Sequence, residues 1–567
     1  MSLKNSPVAM PSKRITFKKG ANGTIYVYYT VRAYRNSHGK PTSDEVSIGK
    51  KDGATGNLIP NNRYFEIFHP HPQPASQSQL QPQPQPQAAH QVRCVNHPDP
   101  DDVAQTTHHA ELQAPVPQKI QSCGNSAVLL EMAKQIGLLA TLEQCFPSKW
   151  DRILACAFYI LCEGNVMMYI EDWFDETKIS FTNRMNDVAC SRLFASITDE
   201  ERSTFFSEWI RRRREKEYIA YDVSSISTYS NNIDIAEWGY NRDGDNLPQM
   251  NLGMYYGMTS HIPVYYNLYS GSIPDKVYLE FMMTSAKDLG INDVCFVIDR
   301  AFVTENNFLC MQKSGFSFIT AMPGQRVNFT KLIDENKKNV RKSANRIGKY
   351  EIYGLQQPIE LYGINLQAHI YYDSEKQVRD EKALYAHIER LQEELNKMSG
   401  SKRATQKYKD YFVIDEKTPD AFTFALDTCK IDEKLEQTGF FVLLSNNANL
   451  SSTEVLRIYR ERDVIEKNFD QFKNRLDFKR MRTHWNKTTD GKMFVGFIAL
   501  ILRSYMQRLM QNNNETKHMT FEKILIELKK IKSVILSDMN ETITPMTKIQ
   551  KTIIAALGMR QENIANA

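Results

Sequence analysis

Residue types able to do chemistry gather first in residues 451–482, SSTEVLRIYRERDVIEKNFDQFKNRLDFKRMR. The stretch opens on Ser451-x-x-Glu454, a capping-box pattern, and continues without Pro or Gly, which predicts one long helix. At about 100° per residue, Val455, Ile458, Ile465, Phe469, Phe472 and Leu476 form an apolar stripe that packs on a core. Along the edge of that stripe Tyr459, Arg462, Glu466 and Lys473 fall within an arc of roughly 60°. One carboxylate is thus flanked on one face by an aromatic hydroxyl and two cations. The plain alternative is a salt-bridged, solvated helix. Further carboxylates elsewhere in the chain decide between the two.

Two stand on strand-like segments. In EYIAYDVSSIS, alternation puts Ile219, Tyr221 and Val223 on one side and Ala220, Asp222 and Ser224 on the other. An ionised Asp222 amid apolar neighbours is costly unless compensated, and a cation is the usual compensation. DVCFVIDRAF is a continuous apolar run, as in a central strand buried on both faces, and it ends in Asp299. Between these acids, MNLGMYYGMT and IPVYYNLYSG read as strands joined by a tight turn at Ser260-His261, and VYLEFMMTSAKDLG as a helix; after them come a helix, TENNFLCMQKSG, and a strand, FSFITAMP. The order is strand, strand, strand, helix, strand, helix, strand, with an acid on the first and fourth strands.

The spacing Tyr459-x2-Arg462-x3-Glu466-x6-Lys473 resembles the Y-R-E-K signature of DDE transposases of the insertion-sequence-four type. Asp299-x-Ala301-Phe302 is similar to the second-acid motif of that type, and GYNRDGDNLPQMNLGM to the segment it carries between its first two strands. Ser224 stands where a Thr is common in relatives. The resemblance spans residues 201–510 and implies a ribonuclease-H-like α/β fold, a mixed sheet flanked by helices, in which the first and fourth strands lie side by side. It further implies that Asp222, Asp299 and Glu466 are catalytic and hold two Mg²⁺ (or Mn²⁺) ions. Two divalent ions about 3.5–4 Å apart activate water and clamp an in-line displacement, and hard oxygen ligands suit them. Asp222 is assigned as the shared ligand, with Asp299 and Glu466 each holding one ion. Tyr459, Arg462 and Lys473 are assigned to DNA binding beside the cut, and Asp463 and Asp470 are neighbouring acids able to help or to mislead.

The remainder of the chain must position this core. At 567 residues, 41% of them hydrophobic, it is long enough for several domains. The net charge of +5 is local: between Arg457 and Lys487 ten Lys/Arg stand against five Asp/Glu, a surplus as large as that of the whole chain, which points to a polyanion. Residues 1–70 form a small β-rich module, with TIYVYYTVRAYR its clearest strand and a turn at residues 36–40; DNA-end binding and simple packing fit it equally. Residues 71–118 form a Pro/Gln-rich linker that cannot order itself. Its His108 and His109, near Cys94 and Cys123, match no metal-ligand spacing.

Residues 119–214 read as a helical, DNA-binding module. Its first helix is capped by Asn125 or Ser126 and a later one by Thr198-x-x-Glu201, and the basic run at residues 211–214 either touches phosphates or decorates a helix end. The core is expected in two parts, residues 215–323 and 438–512, interrupted by a β-containing insertion at 324–437, with a C-terminal helical segment at 513–567 in which FEKILIELKKIKSVIL is one helix. Nine cysteines without a C-x-x-C pair indicate neither a disulfide framework nor a zinc knuckle. The amino terminus lacks a signal-peptide core, and the longest apolar run is about half a membrane span. A cytoplasmic, nucleoid-associated prokaryotic protein with no membrane partner is expected.

The functional expectation is a transposase that binds double-stranded DNA at terminal inverted repeats and target sites, as a homodimer in its DNA complex. Two alternatives are a nuclease of the same fold that cuts without joining, and a DNA-binding repressor that has lost its chemistry.

Overall fold

The computed structural model describes residues 8, 11, 15–19, 24–35, 41–53, 55–60, 64, 117–213, 218–292, 294–324, 327–397, 406–418, 421–537 and 539–565. The chain divides into two compact units, residues 1–109 and 110–567. The turn expected at residues 36–40, most of the expected linker, Cys94, His108, His109 and Arg214 lie outside the described residues. In the first unit, β1 (Ile15–Lys19), β2 (Ile25–Arg35), β3 (Pro41–Lys51) and β4 (Leu58–Pro60) make an antiparallel sheet in that order, over a small core of Val27, Ile48, Leu58 and Tyr64.

The second unit begins with β5 (Pro117–Ser122) and six helices: α1 (Gly124–Gln135), α2 (Leu138–Cys145), α3 (Trp150–Glu163), α4 (Ile170–Glu176), α5 (Asp187–Ser196) and α6 (Asp199–Arg213). Asn125 and Ser126 lie inside α1 instead of capping it. The helix starts two or three residues earlier than those caps suggest, with Cys123 at its N-cap and Gly124 pressed on the Leu528 carbonyl, which would lie 2.2 Å from a Cβ there. Thr198 and Glu201 do cap α6 reciprocally, Glu201 N donating to Thr198 Oγ1 and Thr198 N to Glu201 Oε2.

The site is carried by a ten-stranded mixed sheet. Its strands are β6 (Tyr218–Thr228), β7 (Gln249–Gly257), β8 (Ile262–Ser270), β9 (Cys295–Ile298), β10 (Ser317–Ala321), β11 (Arg346–Ile347), β12 (Ile352–Leu361), β13 (Ile364–Tyr372), β16 (Phe440–Ser445) and β17 (Arg480–Met481). Their order is β11-β12-β13-β16-β10-β9-β6-β7-β8, with β17 beside β6. β6 runs parallel to β9, pairing Tyr221 with Ile298, so Asp222 and Asp299 are the next residues along two adjacent strands.

Period-two alternation decides which way they face. Ile219, Tyr221, Val223, Phe296 and Ile298 enter one core with α7 (Asp275–Asp288), α8 (Glu305–Ser314) and α9 (Val327–Val340). Ala220, Ile226, Cys295 and Val297 enter the other core, and Asp222 and Asp299 share their parity. That second core also contains Val455, Ile458 and Ile465 and the long helix α15 (Asn486–Gln511). Both acids therefore face the Glu466 helix.

Of the stretch 324–437, expected to be an insertion, β11, β12 and β13 extend the main sheet, β13 pairing antiparallel with β16. α9 packs in the core with α7 and α8, and what stands apart is α10 (Ser374–Asn396), α11 (Gln406–Lys409), the hairpin β14 (Phe412–Thr418) and β15 (Ala421–Leu426), and α12 (Thr428–Leu435), with its own small core around Leu391, Tyr411 and Ile431. FEKILIELKKIKSVIL is not one helix. α16 (Phe521–Lys529) stops, and β18 (Lys532–Leu536) pairs with β5 and with β19 (Glu541–Ile543), where Val534 and Ile535 suit a strand. By length and composition α15 would cross a membrane, but its apolar surface is buried inside the protein. The described cysteines are free thiols.

Candidate active site

Each acid is presented by a different element. Asp222 lies on β6 and accepts from the Val223 backbone at 2.8 Å; its side chain is 17% exposed. Asp299 leaves β9 and caps a short 3-10 turn, Arg300–Phe302, by accepting from Ala301 N at 2.9 Å. Glu466 projects from α14 (Asp463–Asp470) and is 56% exposed, forming the open side of the site. Burial pushes the Asp222 carboxyl up to about 6, against the Val223 hydrogen bond and the nearby Arg462 and Arg242, while Asp299 adds repulsion.

The three carboxylates meet at one cation, the Arg462 guanidinium. Its Nη2 lies 3.1 Å from Asp299 and 2.9 Å from Glu466, and its Nη1 lies 3.8 Å from Asp222. The Arg462 side chain is 9% exposed and sits over the Tyr459 ring at 5.5 Å from its centroid. Burial pushes the Tyr459 hydroxyl up to about 12. Of the assigned residues, then, the fold gathers Asp222, Asp299, Tyr459, Arg462 and Glu466. Asp463 and Asp470 are exposed, and Asp470 accepts from Asn474 instead.

The helix carrying Glu466 is shorter and less regular than its sequence predicts. Its capping box forms as expected between Ser451 and Glu454, starting α13 (Ser452–Glu461). At Arg462 the chain makes i→i+3 hydrogen bonds on both sides, to Tyr459 and from Ile465, and α14 follows. From Gln471 to Arg475 it widens into a π-turn, and it ends there; residues 480–481 form a strand. A π-turn rotates later residues off an ideal helical face. Lys473 lies within that π-turn, is 7% exposed and donates to Asp243 at 2.6 Å.

Asp243 belongs to a set of residues that periodicity does not reveal, in the loop after β6. Arg242 pairs with Asp275, Asp243 with Lys473, and Asp245 with Arg480 at 3.2 Å, while Asn241 donates to Ser227. The loop is thus fastened to β6 and to both ends of the segment following Glu466, with Tyr240 left 84% exposed on it. The signal available in the sequence was the density of charge in NRDGD, whose partners lie far away along the chain.

Oxygen donors converging on a cation fit Mg²⁺ or Mn²⁺ in kind. In spacing they are set for the guanidinium: among the described residues no three acidic, His or Cys side chains stand close enough to hold an ion. As arranged, three carboxylates hold a guanidinium over two neighbouring interior strands, β6 and β9.

A family model described as a transposase DDE domain matches residues 213–502, which include all six assigned residues. No curated protein matches the chain. Among solved structures it is similar to a piggyBac transposase synaptic complex with hairpin DNA, at 8% identity over 72% of this chain and 70% of that one, with a TM-score of 0.31. It is also similar to a Drosophila P element transposase strand transfer complex, at 10% identity over 61% and 91%, with a TM-score of 0.12. These scores are too low to define a common architecture.

Proposed function

Because the chain belongs to the transposase DDE domain family, we propose that it cuts and joins DNA at the ends of an insertion sequence, with Asp222, Asp299 and Glu466 as its catalytic acids. One observation carries this reading: acids from β6, from the end of β9 and from α14 reach a single guanidinium. Asp222, Asp299 and Glu466 would hold two Mg²⁺ (or Mn²⁺) ions, Asp222 serving as the shared ligand. Such ions lower the pKa of bound water and stabilise a leaving oxygen.

The residues divide the remaining work. Asp222 forms the floor on β6, while the more exposed Asp299 and Glu466 open toward DNA. Arg462 and Tyr459 lie beside the cut strand, Arg462 being suited to bidentate phosphate contact. Lys473 acts by holding the Asp243 loop in place. The neighbouring first and fourth strands support the ribonuclease-H-like reading, and the Tyr459, Arg462, Glu466 and Lys473 spacing supports the insertion-sequence-four type. The partners are terminal inverted repeats and target DNA, bound by a homodimer in the cytoplasm of a prokaryotic cell.

The test is a strand-transfer assay on paired element ends with Mg²⁺. Joined products are expected, and are lost in Asp299→Ala and Glu466→Gln while end binding persists. Breaks without joined products would identify a nuclease, and unchanged cleavage by both variants would refute the three-acid assignment.

A further inference from the structure

Arg462 is buried among three acids, yet incompletely bonded. Its Nη2 serves Asp299 and Glu466, whereas Nε and Nη1 are buried without a hydrogen-bond partner among the described residues, Nη1 lying 3.8 Å from Asp222. Buried guanidinium donors are ordinarily satisfied, and leaving them unmade carries a desolvation cost. The guanidinium therefore holds its place by charge more than by geometry. It also sits at the irregularity between α13 and α14, flanked by i→i+3 bonds.

Three carboxylates that surround a guanidinium cannot hold divalent ions in the same space. We propose that Arg462 is the resident cation of this site in the protein free of metal and DNA, and that it gives way to divalent ions when a DNA phosphate draws it out. The inference rests on the reading of Asp222, Asp299 and Glu466 as metal ligands. A phosphate offers the paired acceptors that Nε and Nη1 lack, in the planar geometry guanidinium prefers. Once it leaves, the acids repel one another and favour a cation of higher charge. Metal and DNA then bind cooperatively through one side chain, and by linkage each raises the affinity of the other by the same factor, typically roughly 5- to 150-fold. The free protein is thereby kept from assembling a cutting site before it holds DNA.

The experiment titrates Mn²⁺ into the full-length protein, following free Mn²⁺ by electron paramagnetic resonance, with and without a blunt duplex oligonucleotide. Wild type is expected to bind Mn²⁺ at least about fivefold more tightly when the duplex is present. Arg462→Gln should bind Mn²⁺ without duplex about as tightly as wild type does with it, and gain little from its addition. Arg460→Gln, which removes an exposed charge two residues away, should behave as wild type without duplex. An Arg462→Gln affinity no higher than wild type overturns the proposal. Should that variant not fold, a wild-type Mn²⁺ affinity indifferent to duplex overturns it equally. Glu466→Gln separates the two readings: if it leaves Mn²⁺ binding intact, the metal-ligand assignment itself falls, and if it weakens binding while Arg462→Gln does not strengthen it, only the displacement falls.

Discussion

Lys473 donates to Asp243 across 2.6 Å, joining the π-turn after Glu466 to the loop after β6. With side chains 7% and 23% exposed, the pair is largely removed from solvent, so truncating the lysine strands an acid. Lys473→Ala should cost roughly 2–3 kcal/mol, below the 3–5 typical of a fully buried pair. DNA affinity measured against salt distinguishes this support from a phosphate contact. Loss of a phosphate contact lowers the log–log slope by about 0.9, whereas the structural role predicts an unchanged slope with a lower unfolding midpoint. A reduced slope at wild-type stability would contradict the assignment.

The pH dependence of stability should carry two opposed contributions. Asp222 is pushed from its ordinary 3.8 to about 6 by burial, so between those values the folded state binds the extra proton. Its contribution to stability is then present at low pH and declines as pH rises through that window. His369, on β13 and wholly buried, is pushed down from 6.5 to about 4 by that burial, and there the unfolded state binds the proton, so stability rises with pH. In urea unfolding with chelator present, Asp222→Asn should stabilise the protein relative to wild type by roughly 2 kcal/mol more at pH 7 than at pH 4.5, at 1.36 kcal/mol per unit. His369→Asn should flatten the opposite slope. Parallel pH profiles for wild type and both variants would show that neither group is perturbed.

Much of this site is legible in the letters, for a local reason. Alternation around Asp222 and the apolar run ending in Asp299 fix their faces, because a strand's period is two whatever its partners. The capping box at Ser451 is equally local. What the letters do not carry depends on distant partners. The π-turn at Gln471–Arg475 accompanies the pairing of Lys473 with Asp243, 230 positions earlier in the chain. Strands β12 and β13 look like a separate insertion until β13 is seen beside β16. The KSVIL segment leaves its helix because β5 offers it a ladder from more than 400 residues away.

Glu466→Gln should separate chemistry from folding more cleanly than Asp299→Ala. The Glu466 side chain is half exposed and the amide is isosteric, so stability should fall by about 1 kcal/mol at most, the weight of a partly exposed ion pair with Arg462. Asp299→Ala also deletes the cap on the Arg300–Phe302 turn, worth about 1 kcal/mol. Both should lower cleavage more than a hundredfold, since loss of an outer-shell partner alone costs about 10–100-fold at metal sites. Single-turnover cleavage beside thermal unfolding decides it; Glu466→Gln cutting at wild-type rate would exclude that carboxylate from the reaction.

The long helix α15 should be intolerant of the smallest additions where it supports the site. A Cβ at Gly491 would lie 2.0 Å from the Phe194 carbonyl oxygen, and one at Gly496 would lie 2.4 Å from the Phe478 ring. Alanine gains about 1 kcal/mol of helix propensity over glycine, so a solvated site would be stabilised. Here overpacking opposes it, at typically 1–3 kcal/mol. The Phe478 ring can tilt, but the Phe194 carbonyl belongs to α5 and yields only if that helix shifts as a body. Gly491→Ala should therefore destabilise more than Gly496→Ala in chemical denaturation. Gly496→Ala should instead weaken the Lys473 and Arg480 pairings on either side of Phe478, read as faster proteolysis of the segment between α14 and α15. Equal destabilisation by the two substitutions, or a net gain from either, would show that α15 does not pack against its neighbours as closely as this geometry requires.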